Sequence, residues 1–192
     1  MSIIEKTLKK LTILVDLDDT IEDLMRAWVD ALNSRYGTCV TREEIVDWDL
    51  SIFFPELTDE QVYAPLAEDG FWKTVRPLEG AAEYLQMLKN DGHKVLIVTA
   101  SDYRTLPSKM DDVLFYYFPM ITWDDVIVTT HKQLIRGDVL VDDAIHNLIN
   151  GDYEKLLMDA PHNRWLDAER AGMHRVKNWS EVYTKICEIS QS

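Results

Sequence analysis

The sequence predicts a doubly wound α/β protein: a mostly parallel sheet, helices on both faces, and a small helical cap inserted after the first strand. Three observations carry this reading. Apolar runs of strand length recur along the chain, separated by stretches of helical periodicity. Acidic, hydroxyl or amino side chains stand at the ends of several runs or just beyond them. A mainly helical stretch, 21–72, separates the first run from the second. The core domain is therefore expected over 1–20 and 73–192, with the cap at 21–72. At 192 residues and 46% apolar content, the chain can bury a stable core without covalent staples.

The first strand is read at Leu11 to Val15, a continuous apolar run of the kind buried on both sheet faces. Ile21, Leu24, Met25, Trp28, Val29 and Leu32 then recur at helical spacing, and Gly37 supplies a stop. Trp28 lies on that apolar stripe and is assigned to the core. Two short helices are expected at 41–48 and 58–68, the first opening on a capping-box pair, Thr41 and Glu44. From Pro77 the alternation resumes. A helix over 80–89 carries Tyr84, Leu85 and Leu88 on one side and ends at Asn90, Asp91 and Gly92. The second strand, 94–98, runs into Thr99, and part of a helix is expected at 113–118. The third strand is 125–128, the fourth is 139–141 leading into Asp142 and Asp143, and the fifth is 153–158. An amphipathic helix at 179–189 closes the chain.

With 20 Lys and Arg against 34 Asp and Glu, the formal net charge is −14. Such a chain repels backbone phosphates, which excludes polymeric nucleic acid bound across a broad face. A small phosphorylated ligand remains compatible where positive charge is supplied locally. Cys39 and Cys187 stand far apart, with no spacing that suggests a disulfide framework or a zinc site. Residues 1–10 lack an apolar signal core, and no run is long enough to span a bilayer. The expectation is a cytoplasmic protein with reduced thiols and no membrane partner; a homodimer is left open.

The chemistry lies at the strand ends. Asp16, Asp18, Asp19 and Thr20 follow the first strand, Thr99 ends the second, Lys132 follows the third, and Asp142 and Asp143 follow the fourth. Alone, an acidic pair is usually a turn and a lysine is usually solvated; their order and placement reverse those odds. In an open parallel sheet the carboxyl ends of the strands line one crevice. Clustered carboxylates repel one another unless a divalent cation neutralises them, and an oxygen-only donor set favours Mg²⁺ over zinc. Metal and Lys132 together would hold a phosphate that the rest of the chain repels. Thr99 can donate its hydroxyl, and turn amides after Asp16 can form an anion-binding nest.

This ordered set resembles the four motifs of the haloacid dehalogenase superfamily of phosphohydrolases, and the match runs over most of the chain. The resemblance implies that Asp16 is the nucleophile, forming an aspartyl-phosphate. It implies that Asp18 is the acid to the leaving alkoxide and then the base for water. Asp16, the backbone carbonyl of Asp18 and Asp143 would ligate Mg²⁺, with Asp142 supporting. Thr99, Ala100 and Lys132 would bind the phosphate.

The segment from Gly70 to Ala81 is also similar to the cap exit of 5'(3')-deoxyribonucleotidases. So are the stretch from Lys132 to Asp143, with its eleven-residue step, and the one from Leu157 to Asn163. That family hydrolyses deoxyribonucleoside monophosphates and stacks the base on aromatic cap residues. The counterparts here are Trp48 and Phe53, although as residues Trp48 divides evenly between cap packing and base stacking and Phe53, like Trp72, leans towards packing. Leu24 stands where the family has a substrate-facing Phe. Thr99, Ala100 and Ser101 replace the family's Thr-Ser-Pro, and Thr130, His131 and Lys132 replace its Arg-Asp-Lys, so base and sugar preference are not carried over.

The function implied is Mg²⁺-dependent hydrolysis of (deoxy)ribonucleoside 5'- or 3'-monophosphates. A phosphatase of the same fold acting on another small phosphorylated metabolite is the nearest alternative. A receiver-like phosphoacceptor module also combines acids, Thr and Lys around Mg²⁺. Receivers, however, place an acidic pair after strand one and the phosphoacceptor after strand three, so the order here favours the enzyme.

Overall fold

Strand β1 (Thr12–Val15) occupies the middle of the sheet, and its residues divide by parity. Ile13 and Val15 enter one apolar cluster and Leu14 enters another, as the two-residue period of a strand buried on both faces requires. The computed structural model describes residues 9–191, so most of the expectation for 1–10 lies outside the described residues. Among the described residues the sheet has six strands in the order β3-β2-β1-β4-β5-β6. They are β1, β2 (Lys94–Thr99), β3 (Val126–Val128), β4 (Val139–Asp142), β5 (Glu154–Met158) and β6 (His174–Val176). Every pairing is parallel; β1 aligns Ile13 with Val95 on one side and with Val139 on the other. β6 was not expected, because its three residues include one buried apolar side chain, Val176, and carry no readable period.

Seven α-helical segments accompany the sheet among the described residues: α1 (Leu24–Tyr36), α2 (Asp59–Tyr63), α3 (Ala81–Asn90), α4 (Leu106–Lys109), α5 (Phe115–Tyr117), α6 (Ile145–Leu148) and α7 (Trp179–Gln191). None is long and apolar enough to cross a membrane. α1 stops where expected: Gly37 takes φ 69°, and its N–H bonds the Asn33 carbonyl at 2.9 Å. A π turn, Met110–Leu114, joins α4 to α5 into one run that starts well before 113. Pro107 conceals that start in the sequence, yet proline suits the first turn of a helix, where its missing N–H costs nothing.

The helix expected at 41–48 is a single 3₁₀ turn, Arg42–Glu44. Its capping pair forms, with Glu44 accepting from Thr41 N–H at 2.7 Å. Beyond it Asp47 accepts from Asp49 N–H and Asp49 from Ser51 N–H, each at 3.0 Å. These local aspartate turns compete with a helical ladder and end it. The helix expected at 58–68 begins with the Thr58–Gln61 capping box and becomes a 3₁₀ turn, Ala64–Ala67, because Pro65 cannot donate to the ladder. This stretch between β1 and β2 gathers its own apolar cluster, including Leu24, Trp28, Leu32, Phe54, Val62 and Trp72, and takes in Val113 from the π turn.

Gly137 precedes β4 against the fully buried Leu14. A Cβ there would lie 2.6 Å from Leu14 Cγ, inside a filled core. Gly137→Ala is therefore expected to lower unfolding free energy by about 1–3 kcal/mol. Urea denaturation checks this, and a loss below about 0.5 kcal/mol would show that Leu14 yields freely.

Candidate active site

Parallel pairing sends β1, β2, β3 and β4 out of the sheet at one edge. Asp16 follows β1, its N–H bonded to the Val141 carbonyl at 2.9 Å, and Asp142 ends β4 beside it. Lys132 arrives on a 3₁₀ turn, Lys132–Leu134, after β3. Its Nζ lies 2.6 Å from Asp16 Oδ1 and 2.7 Å from Asp142 Oδ2, and its side chain is 1% exposed. Asp16, Asp142 and Asp143 each turn an oxygen into a common space, all within 4.8 Å of one another. The chain leaves β1 through a tight turn, with Ile21 N–H on the Leu17 carbonyl at 3.1 Å and Asp19 at φ 52°. Aspartate tolerates that left-handed conformation better than most residues.

The two acids after β4 are held differently. Asp142 accepts from Lys132, from Ala144 N–H at 2.8 Å and from Asn147 Nδ2 at 3.1 Å. Neither carboxylate oxygen of Asp143 accepts an aligned hydrogen bond, although His162 Nε2 approaches Oδ2 to 3.1 Å. The Asp143 backbone is fixed from the loop after β5. The buried Asn163 donates to its carbonyl at 2.9 Å and to the Met158 carbonyl at 2.7 Å, while accepting from Arg175 at 2.6 Å. The segment containing His162 and Asn163 drew notice in the sequence only through family resemblance.

Asp18 is bound from a residue that sequence reasoning missed. Lys109, at the end of α4, donates to Asp18 Oδ2 at 2.5 Å and to Ser101 Oγ at 2.8 Å, and lies 3.3 Å from Thr99 Oγ1. Glu22, fully buried, stands beside Asp18 with neither oxygen paired to a donor. Burial pushes Glu22 well above the usual carboxylate range, and the charge of Asp18 and a hydrogen bond shared with it add to the rise. A proton kept on Glu22 supplies the missing donor.

Burial, followed by the charge of Asp142, pushes both Asp16 and Asp143 well above the usual range, with Lys132 opposing. Burial and the charge of Asp143 push Asp19 up to about 8. Burial alone would pull the Lys132 ammonium down, but Asp16 and Asp142 hold it above its ordinary value. Burial pulls His162 below the usual histidine range.

A cleft of about 330 Å³ opens over Asp16, Asp18 and Lys132. Leu24, Trp48 and Ala100 line it, together with Met25, Tyr63 and Leu66. Trp28, assigned to the core, does both: it is buried, donates to the Val62 carbonyl at 2.7 Å, and still shows a face to the cleft. Phe53 is not among the lining residues; its 3₁₀ turn, Leu50–Phe53, packs it partly buried against the apolar cluster of the 21–72 stretch. Trp48 is 56% exposed and presents ring edges to His146 and His162 at 5.6 and 5.2 Å between centroids.

Residues 9–191 match the family model described as 5' nucleotidase, deoxy (pyrimidine), cytosolic type C protein. A 5'(3')-deoxyribonucleotidase of Bacillus subtilis is 30% identical over 178 residues, covering 92% of this chain and 99% of the relative. Among solved structures, a haloacid dehalogenase family hydrolase of Deinococcus radiodurans, with bound phosphate and sodium, superposes at TM-score 0.61. It is 15% identical and covers 94% of this chain and 96% of its own. A hydrolase of the same fold from Bacillus subtilis, bound to magnesium, superposes at TM-score 0.56 with 14% identity, over 93% of this chain and 99% of its own. With a family match over nearly its whole length and the fold shared, the chain belongs to the 5'(3')-deoxyribonucleotidase family of haloacid dehalogenase-type hydrolases.

Proposed function

We propose that this protein is a Mg²⁺-dependent phosphomonoesterase that hydrolyses deoxyribonucleoside monophosphates, with 21–72 acting as a cap over a core of 1–20 and 73–192. The observation that carries the reading is the placement of Lys132. Two of its three N–H groups face Asp16 and Asp142, which leaves one for a phosphate oxygen at the floor of an aromatic-walled cleft. Ala100 lines the same cleft and would offer its N–H to the phosphate, while the buried Thr99 ends β2 beside it.

The donor set fits a divalent cation. Asp143 is buried with both oxygens lacking a hydrogen-bond donor, next to Asp16 and Asp142, and all three offer hard oxygen. Asp16, Asp143 and the Asp18 backbone carbonyl would hold Mg²⁺, while Asp142, already accepting three hydrogen bonds, supports Lys132. When bound, the ion would offset the mutual repulsion of these acids and the charge of the phosphate.

Lys132 orients Asp16 by one oxygen, which frees the other to attack phosphorus. A P–O bond forms to Asp16 as the ester P–O bond breaks, and the Asp18 carboxyl gives its proton to the departing alkoxide. Asp18, now a carboxylate, takes a proton from the water that attacks the aspartyl-phosphate. That second displacement returns Asp16 and releases inorganic phosphate. Trp48 and Leu24 would bear on the base or sugar; stacking on an indole tolerates any base.

Three outcomes follow. Phosphate release from a panel of 5'- and 3'-deoxynucleotides, ribonucleotides and sugar phosphates should favour deoxynucleotides with magnesium and vanish with chelator. Sugar phosphates turning over in their place would transfer the reading to another small metabolite. Asp16→Asn should reduce turnover to background, and Asp18→Asn should slow it about 10²–10⁴-fold; full activity in Asp16→Asn would refute the mechanism. The third concerns stability. Asp16, Asp19, Glu22 and Asp143 all have raised values, so folding favours their protonated forms. In chelator, stability should be highest near the ordinary carboxylate range and fall as pH rises toward about 8, the value for Asp19. Mg²⁺ binds the ionised acids and should flatten that fall. Melting temperatures from about pH 5 to about pH 8 test this, and identical curves with and without Mg²⁺ would exclude it.

A further inference from the structure

We infer that Lys109 is a positioning residue that sets the Asp18 carboxyl group for proton transfer; this rests on Asp18 being the acid and base of the proposed reaction. Lys109 and Lys132 are the two buried ammonium groups at this edge, 2% and 1% exposed, and their surroundings differ in kind. Lys132 meets two carboxylates and keeps one N–H for a ligand. Lys109 meets three oxygens: Asp18 Oδ2 at 2.5 Å, Ser101 Oγ at 2.8 Å and Thr99 Oγ1 at 3.3 Å. An ammonium has three N–H donors and no acceptor, so Lys109 is saturated by the protein itself. It has no donor to spend on a substrate phosphate, and its work is done on Asp18.

The rest of its environment keeps that geometry in place. Against the ammonium lies the Trp72 ring, 5.3 Å from Nζ to centroid, a cation–π contact. Trp72 is itself buried and held by a hydrogen bond from Nε1 to the Leu66 carbonyl at 3.1 Å. Lys109 therefore joins three parts: the loop after β1 through Asp18, the end of β2 and its following loop through Thr99 and Ser101, and the 21–72 stretch through Trp72. The helix widens into its π turn at the next residue, Met110, and such turns are rare and concentrate at functional sites.

A buried ion pair is a poor device for stability alone, since apolar residues of similar volume often serve as well or better. Fixing a carboxyl group is a task for which an apolar residue cannot substitute. Asp18 has to meet the leaving oxygen in one step and a water in the next, and a displacement of about 1 Å is enough to cost about 10²-fold in rate. Oδ1 of Asp18 is buried without a donor, so Oδ2, the oxygen that Lys109 holds, is the one left to meet them.

Lys109→Met keeps the length of the stem and removes the donors. On a deoxynucleoside monophosphate the variant should lose about 10²-fold in kcat with KM within about threefold of the unsubstituted enzyme. In a first turnover with p-nitrophenyl phosphate, whose leaving group needs no proton, release of nitrophenolate should fall less than about fivefold. Ser101→Ala removes one of the three partners without burying a charge, and should lower kcat by about three- to tenfold, again at constant KM. Melting temperature tells whether each variant is folded, and Ser101→Ala carries the test if Lys109→Met is not. Unchanged kcat in the folded variants would overturn the assignment. So would a tenfold rise in KM with kcat retained, which would make Lys109 a phosphate ligand, or equal losses on both substrates. If the unsubstituted enzyme releases no phosphate from either compound, the proposed reaction fails instead.

Discussion

Mutual repulsion among carboxyl groups at one sheet edge is the constraint on which the rest of this structure turns. Asp16, Asp19, Glu22, Asp142 and Asp143 are all buried there, with Asp18 among them. Charges so placed cannot all ionise unless opposite charge is supplied within a few ångströms. Two lysines supply part of it, each carried in from a different segment of the chain. A proton on Glu22 meets another part, since its carboxyl group has no other donor to satisfy. What is left falls on Asp143, whose oxygens lack donors, and this imbalance makes the site receptive to a hard cation.

The fold delivers that crowding through topology. Strand order β3-β2-β1-β4-β5-β6 means that the chain winds outward from β1 through β2 to β3, then returns to begin again at β4 on the other side. The reversal lies between β1 and β4, where connections leave in opposite directions and a crevice opens. Asp16 and Asp142 stand on its two lips, and Lys132 reaches across from the end of β3 to both. The stretch between β1 and β2 then roofs the crevice, because its apolar residues must bury somewhere and the π turn with Val113 offers a surface. Trp28 shows the double use: one residue of the roof's apolar cluster also serves as wall of the cleft.

Legibility in the sequence followed period and punctuation. β1, β2, β4 and β5 were readable because a strand buried on both faces is a plain apolar run, and the polar residue that ends it is conspicuous. The same contrast brought Asp16, Thr99, Asp142 and Asp143 into view, and spacing added Lys132. Lys109 escaped for a physical reason. It sits between Pro107, Ser108 and two aspartates, a context that reads as a solvated loop, and its burial depends on Asp18, 91 residues away in the chain. Asn163 and His162 came into view only by resemblance, since their partner is the Asp143 loop across the sheet edge. Phe53 was read two ways, as a base-contacting aromatic by resemblance and as a packing residue by its own chemistry, because an aromatic residue gives no sign of which side of a short 3₁₀ turn it will face; it packs. The 41–48 stretch was read too long because capping boxes mark where a helix can start, whereas Asp47 and Asp49 decide where it ends.

A net charge of −14 looks hostile to a phosphate dianion only if charge is counted over the whole surface. Counted by distance, a buried ammonium stands at the cleft floor, and a hard cation beside it would reverse the sign of the site. Exposed acids act through water and salt and fade beyond about 8–10 Å. Lys132, fully enclosed, acts through protein at short range and is held charged by the very acids that would otherwise repel the ligand. Those acids thus keep an ammonium protonated in a place where burial would strip it, and in the proposed reaction they would also provide the hard oxygens for a cation. Under the proposed function an acidic surround would also discriminate, because a long polyanion would have to cross it while a single phosphate on a small apolar carrier would not. The cleft walls of Leu24, Met25, Trp28, Trp48, Tyr63 and Leu66 would suit that carrier, and under the proposed reaction the charge outside the cleft would select for a small phosphate monoester alongside its lining.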